Sequence, residues 1–164
     1  AEVQVTLVSV SGERVVTGSH GIAIVTDRLI EEMDFSAEDV IFLPGGMPGV
    51  SNLVRHALVA QTLKAQAEQG KELAAICAAP SILGKMGLFA NKRFTCYPGW
   101  EKGIEGINGA EWTGAAVEQS EGLTTGRGLG TAMDFGLALV AKLCGSETAE
   151  KIKRGIQHPD TLYD

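Results

Sequence analysis

Apolar positions in this chain recur with two spacings, and the segments that carry them alternate. "VQVTLVSVSG" (3–12) is rich in β-branched residues and closes on Gly12, which predicts a strand ending in a turn. "RVVTGSHGIAIVTDRLIEEM" (14–33) predicts short strands around a Gly-His-Gly turn, followed by an acidic connector. "DVIFLPGG" (39–46) is apolar almost without interruption, the pattern of a strand covered on both faces of a parallel sheet. "SNLVRHALVAQTLKAQAEQGK" (51–71) has helical spacing, a Ser or Asn cap and a glycine stop. "ELAAIC" (72–77) predicts a strand and "APSILGKMGLF" (79–89) a short helix. "RFTCY" (93–97) is a further strand, and "WTGAAVEQSEGLTTG" (112–126) a hairpin turning at Gly122. "TAMDFGLALVAKLCG" (131–145) and "SETAEKIKRGI" (146–156) predict an apolar and an amphipathic helix. Strand and helix alternate, so the expected fold is α/β, three layers around a mostly parallel sheet.

Composition narrows the function without naming it. A chain of 164 residues suffices for one domain with a real core, here expected to span 1–164. The formal charge of −6, with no basic run, speaks against a nucleic-acid or anionic-membrane partner. No apolar stretch approaches the roughly 20 residues of a membrane span. The first ten residues lack a basic start and an apolar signal core. Three cysteines, Cys77, Cys96 and Cys144, stand far apart and outside any CxxC pattern, so neither a disulfide framework nor a metal site is expected, and a reducing, cytoplasmic home is. No cofactor is expected.

In parallel sheets, ligands collect at the C-terminal ends of the strands. Three predicted strands end in unusual chemistry: Pro44-Gly45-Gly46, Cys77-Ala78-Ala79 and Thr125-Gly126-Arg127-Gly128. Cys77, between an apolar strand and a helix, has two readings. It is a small buried hydrophobe, or it is a nucleophile whose thiolate the following helix terminus stabilises. In the second reading the backbone N–H groups of Gly46 and of Ala78, in the first helical turn, form an oxyanion hole, and the sharp bend works as a nucleophile elbow.

"VIFLPGGMPGVSNL", "AAICAAPSILGKMGLF" and "LTTGRGLGTAMDFGLALV", in this order and spacing, resemble the ThiJ/PfpI superfamily over almost the whole chain. Within it they resemble the branch of the Parkinsonism-associated deglycase and its bacterial ThiJ-like relatives. The resemblance implies a flavodoxin-like sandwich of the class I glutamine amidotransferase-like kind, a homodimer, and a reactive cysteine matching Cys77. It also implies that Gly46 approaches that cysteine and that Ala78 supplies the following N–H. Three departures follow. The family's first strand and helix, with a glutamate that shares a proton with the cysteine, have no counterpart here, so a preceding segment or another occupant of that slot is expected. A histidine of some branches is replaced by Tyr97, a poor base at neutral pH. An arginine near the pocket is replaced by His20, leaving Arg127 as the basic residue on the other side.

Gly45, His20, Tyr97 and Arg127 therefore complete the expected pocket. For His20 a surface turn is the alternative, and for Arg127 a strand cap or ion pair. Cys96 faces either core or pocket. Cys144 is expected in the core, His56 on a solvated helix face, His158 in a terminal loop, and Asp134 in structural hydrogen bonds. Two functions remain open: a glyoxalase III or deglycase-like enzyme acting on reactive carbonyls such as methylglyoxal or on glycated substrates, and a redox sensor or chaperone that oxidises Cys77 to the sulfinate. A cysteine amidase or protease ranks below both, since no histidine is visible beside the cysteine.

Overall fold

The computed structural model describes residues 1–159, so residues 160–164 of the expected domain lie outside the described residues. The elements in order are β1 (Val8–Ser9), β2 (Val15–Thr17), β3 (Ala23–Val25), β4 (Arg28–Leu29), β5 (Val40–Leu43), α1 (Gly49–Arg55), α2 (Ala57–Glu68), β6 (Glu72–Ile76), α3 (Pro80–Lys85), β7 (Arg93–Phe94), β8 (Glu111–Trp112), β9 (Val117–Ser120), β10 (Leu123–Gly126), α4 (Ala132–Cys144) and α5 (Ser146–Gly155).

The central sheet has the order β5-β6-β10-β9. β5, β6 and β10 run parallel, with Leu43 beside Ala75 and Ile76 beside Gly126. β9 joins β10 antiparallel through the expected turn, where Gly122 takes a φ of +67°. The register matters most: it sets the C-terminal ends of β5, β6 and β10 side by side.

β6 shows why its sequence reads as unbroken hydrophobic. Leu73 and Ala75 enter a large core that includes Leu43, Val59, Leu63, Leu83 and Phe94. Ala74 and Ile76 enter a smaller one with Phe135 of α4, against which Val40, Val117 and Leu139 pack. Both faces are covered, so alternation would leave a polar side chain buried. Gln66 of α2, 2% exposed, shares its amide between the carbonyls of Glu38, Asp39 and Glu72 and so ties that helix to the start of two strands. On the opposite face Glu72 accepts from the Thr124 hydroxyl at 2.6 Å and pairs with Lys142 of α4 at 2.7 Å.

The structure departs from the sequence reading in several places. The strand expected over 3–12 is paired only at Val8–Ser9, with β4, in a two-stranded sheet separate from the central one. Val8, Val10 and Ile41 nevertheless pack against the same core cluster. The helix expected over 51–71 begins earlier, at Gly49 after Pro48, without a side-chain cap, and breaks at His56, whose ψ of 113° is extended. His56 is not on a free polar face. Its side chain is 24% exposed and paired with Glu31 at 3.3 Å, while its Nδ1 is buried without a hydrogen bond. His158 lies in the loop that follows α5, as expected, but is buried there at 8% exposure, and its Nε2 meets Asp134 at 3.1 Å. Cys144 is half-buried, its thiol donating to the Ala1 carbonyl at 3.6 Å.

Candidate functional site

The three strand ends carry Pro44–Gly46, Cys77–Ala79 and Arg127–Gly128 onto one edge of the sheet. Cys77 leaves β6 with a φ of +65°, a left-handed conformation that costs a non-glycine residue on the order of 1–2 kcal/mol. Two hydrogen bonds hold it there: its N–H donates to the Gly126 carbonyl at 2.9 Å, and its carbonyl accepts from the Tyr97 N–H at 2.8 Å. Thr125 supports the second clamp, because its hydroxyl oxygen accepts from the Thr95 N–H at 2.9 Å. The sequence marks Thr125 only as the start of an unusual strand end; a strand threonine gives no signal of this supporting role.

Gly45 lies against the elbow. A Cβ at that position would stand 2.5 Å from the Cys77 Cβ, 2.7 Å from the Ile76 carbonyl oxygen and 3.3 Å from the Cys77 sulfur. Only a hydrogen fits there. Gly46 follows with a φ of +92°.

The backbone donors divide cleanly. The Ala79 N–H turns back to the Ile76 carbonyl at 3.1 Å and Ser81 to the Ala78 carbonyl at 3.2 Å. The N–H groups of Gly46 and Ala78, by contrast, have no acceptor among the described residues. Two uncommitted donors beside a half-buried cysteine are the components of an oxyanion-stabilising site. The helix itself starts later than expected. Ala79 is its cap, Pro80 its first residue, and Ala78 belongs to the connecting turn rather than the first helical turn.

The remaining expected residues distribute as follows. Tyr97 is 52% exposed, joined to the elbow through its backbone, with its ring 3.5 Å from the point where a Gly128 Cβ would sit. Arg127 is exposed and donates from one guanidinium nitrogen to the Gly114 carbonyl at 3.0 Å, which leaves its other donors to solvent. His20 is not brought to the elbow by its own contacts; it sits exposed at the tip of the β2–β3 hairpin with Nδ1 3.1 Å from the Ser19 hydroxyl. Cys96 is a core residue, 0% exposed. Burial pushes its thiol up to about 12, with the nearby Glu101 and Cys77 adding to the rise and Trp112 opposing it. An open groove of about 310 Å³ between the Met33–Ser36 turn and α2 contains none of these residues.

The DJ-1/PfpI family description matches residues 1–142. Protein dj-1beta of Drosophila melanogaster is 31% identical over 157 residues, covering 95% of this chain and 83% of that protein. DJ-1 homolog B of Arabidopsis thaliana is 36% identical over 149 residues, which is 90% of this chain but only 34% of that longer protein. The glutathione-independent glyoxalase DJR-1.2 of Caenorhabditis elegans is 35% identical over 133 residues, 80% of this chain and 69% of that protein. Among solved structures, a DJ-1 superfamily protein from Salmonella typhimurium superposes with a TM-score of 0.87 at 28% identity, covering 94% of this chain and 83% of that one.

Proposed function

This chain belongs to the DJ-1/PfpI family and has its flavodoxin-like fold, and from that premise we propose that it converts small reactive carbonyls to hydroxy acids through Cys77. The Cys77 sulfur adds to the aldehyde carbon of a dicarbonyl such as methylglyoxal, and the C=O π pair moves onto oxygen. The Gly46 and Ala78 N–H groups receive that oxyanion. Internal proton transfer then moves the oxidation level along the carbon chain, and water releases the hydroxy acid. Methylglyoxal plus water gives lactate, with no external oxidant.

The observation that supports this reading is the pair of unused N–H donors flanking a half-buried cysteine whose backbone is held left-handed. A relative of similar sequence bearing the name glutathione-independent glyoxalase supports the carbonyl class. Arg127, with guanidinium donors left to solvent at the same edge, is the group that would steer an anionic product or substrate. The reading includes a homodimer, as the resemblance implies. Lactate formation from methylglyoxal by the wild-type protein and by Cys77→Ala tests it. Turnover that survives the substitution removes the proposal.

A second reading, a redox-responsive protein, draws on the inequality of the thiols. Cys96 is sealed in the core with its proton held, so peroxide reaches Cys77 before it reaches Cys96.

A further inference from the structure

The open groove beside α2 has an unpartnered polar atom at its floor. Gln66 is 2% exposed, and its side-chain nitrogen donates to the carbonyls of Glu38 at 3.3 Å, Asp39 at 3.4 Å and Glu72 at 3.3 Å. Those three carbonyls fix which end of the amide is nitrogen, because an oxygen there would face three other oxygens. Oε1 therefore points away from them, and it has no hydrogen-bond partner among the described residues. Nor is it sealed from solvent: the described side-chain atoms that are both buried and unpartnered are Nδ1 of His56 and Nε1 of Trp112. Gln66 lines the groove of about 310 Å³ between the Met33–Ser36 turn and α2, so its oxygen opens there.

The surroundings of that fixed acceptor select a ligand class. Asp34 is the charged residue among those lining the groove. Its carboxylate accepts from the Ser36 N–H at 2.9 Å, and this bond, reinforced by the Ser36 side chain, holds its carboxyl below the ordinary value. The nearby cation, Lys71, donates to the Ser36 carbonyl and lies outside the lining. Phe35, half-buried, packs against the core and also lines the groove. An anion would meet the Asp34 charge, and a hydrocarbon would leave the Gln66 oxygen unpaired. A compact ammonium is strongly hydrated and has no flat face to offer Phe35. A guanidinium is planar, permanently charged and weakly hydrated, with five donors and no acceptor, and it stacks on aromatic rings. The volume lies at the low end of the roughly 300–1,000 Å³ of small-molecule sites, which limits the occupant to a side-chain-sized group.

We propose that this groove binds an alkylguanidinium group, carried by a free guanidino compound or by an arginine side chain of a peptide. One N–H goes to Gln66 Oε1, the charge is met by Asp34, and the face of the group rests on Phe35. The site shares no lining residue with the Cys77 elbow and does not depend on the chemistry there.

The test is a titration of the isotope-labelled protein followed by its backbone amide NMR shifts. Agmatine serves as the free compound and acetyl-Gly-Arg-Gly-amide as the peptide, and the tighter of the two identifies the source. Saturable shifts centred on residues 33–36 and 61–69 are expected with at least one of them. Putrescine, with ammonium in place of guanidinium, and the matching citrulline peptide, with the shape but no charge, should each bind about tenfold more weakly or worse. Asp34→Asn keeps a side-chain acceptor for the Ser36 N–H and should weaken binding by about tenfold. Ala65→Arg, on the exposed side of α2, should abolish binding while unfolding at the wild-type temperature. Cys77→Ala should bind as the wild type does. The inference is overturned by the absence of saturable shifts with both probes at millimolar concentration, or by shifts centred on the strand ends around Cys77. Equal binding of putrescine or of the citrulline peptide, or wild-type affinity in Asp34→Asn or Ala65→Arg, overturns it as well.

Discussion

Gly45 and Cys77 are in contact so close that a methyl group on the former would stand 2.5 Å from the Cβ of the latter. That distance is far below any relaxed carbon–carbon contact, and the adjacent obstacle, the Ile76 carbonyl oxygen at 2.7 Å, is backbone that cannot step aside. The last residue of one strand end thus shapes the bend of the next.

Gly45→Ala is accordingly expected to displace the elbow, with a destabilisation of about 1–3 kcal/mol from overpacking and loss of Cys77 alkylation at its wild-type rate. Urea unfolding and iodoacetamide kinetics on the same preparation check both. A variant as stable and as reactive as wild type would contradict the contact.

Replacing Cys77 separates chemistry from strain. Alanine and glycine both remove the sulfur, so neither supports carbonyl turnover. Ordinarily glycine is the less stable of the two, but at a φ of +65° the order reverses, and Cys77→Gly is expected to exceed Cys77→Ala by about 1 kcal/mol. Thermal unfolding of the pair measures the difference directly.

The Cys96 thiol, raised by burial from an ordinary 9.0 to about 12, binds its proton more tightly in the folded than in the unfolded chain. Its stabilising contribution is therefore whole below about pH 9 and falls away as the pH climbs through about 12, at roughly 1.4 kcal/mol per pH unit within that window. The signature is a difference: wild type loses stability between pH 8.5 and 10.5 faster than Cys96→Ala, compared by denaturant midpoints. Parallel curves would refute the assignment.

Two ion pairs should respond unequally to removal of the lysine. Lys142 neutralises Glu72, whose side chain is 10% exposed, so Lys142→Met leaves a buried carboxylate with the Thr124 hydroxyl but no counter-charge and is expected to cost about 2 kcal/mol, much of it recovered by adding Glu72→Gln. Lys64 and Glu68 lie 3.8 Å apart on the surface, and Lys64→Met should change stability by less than about 0.5 kcal/mol.

The sequence foretold the segments whose burial admits a single answer and missed those settled by partners distant in the chain. "DVIFLPGG" and "ELAAIC" became β5 and β6 because a strand covered on both faces tolerates no polar alternation. The stretch 3–12 is just as rich in strand-forming residues, but a strand exists where another strand bonds to it, and only Val8–Ser9 meets β4. The break at His56 carries no glycine or proline to announce it. His158 is buried where it meets Asp134 of α4, a contact 24 residues apart that no local pattern announces. At the site, the meeting of Gly45, Cys77 and Gly126 followed from the rule for parallel sheets. The direction of Cys96 did not, because a period of two says that neighbours point oppositely and leaves open which face is the core.

Cys77 is gripped at both its nitrogen and its carbonyl, by Gly126 and by Tyr97, and neither grip comes from the helix that follows. The unfavourable torsion is thus maintained by two separate flanking segments, much as a drawn spring is held by two catches. Warming that frees either catch lets the bend relax while the rest of the sheet stays intact. Catalytic heat inactivation should therefore set in several degrees before the cooperative melting of the protein, and should reverse on cooling.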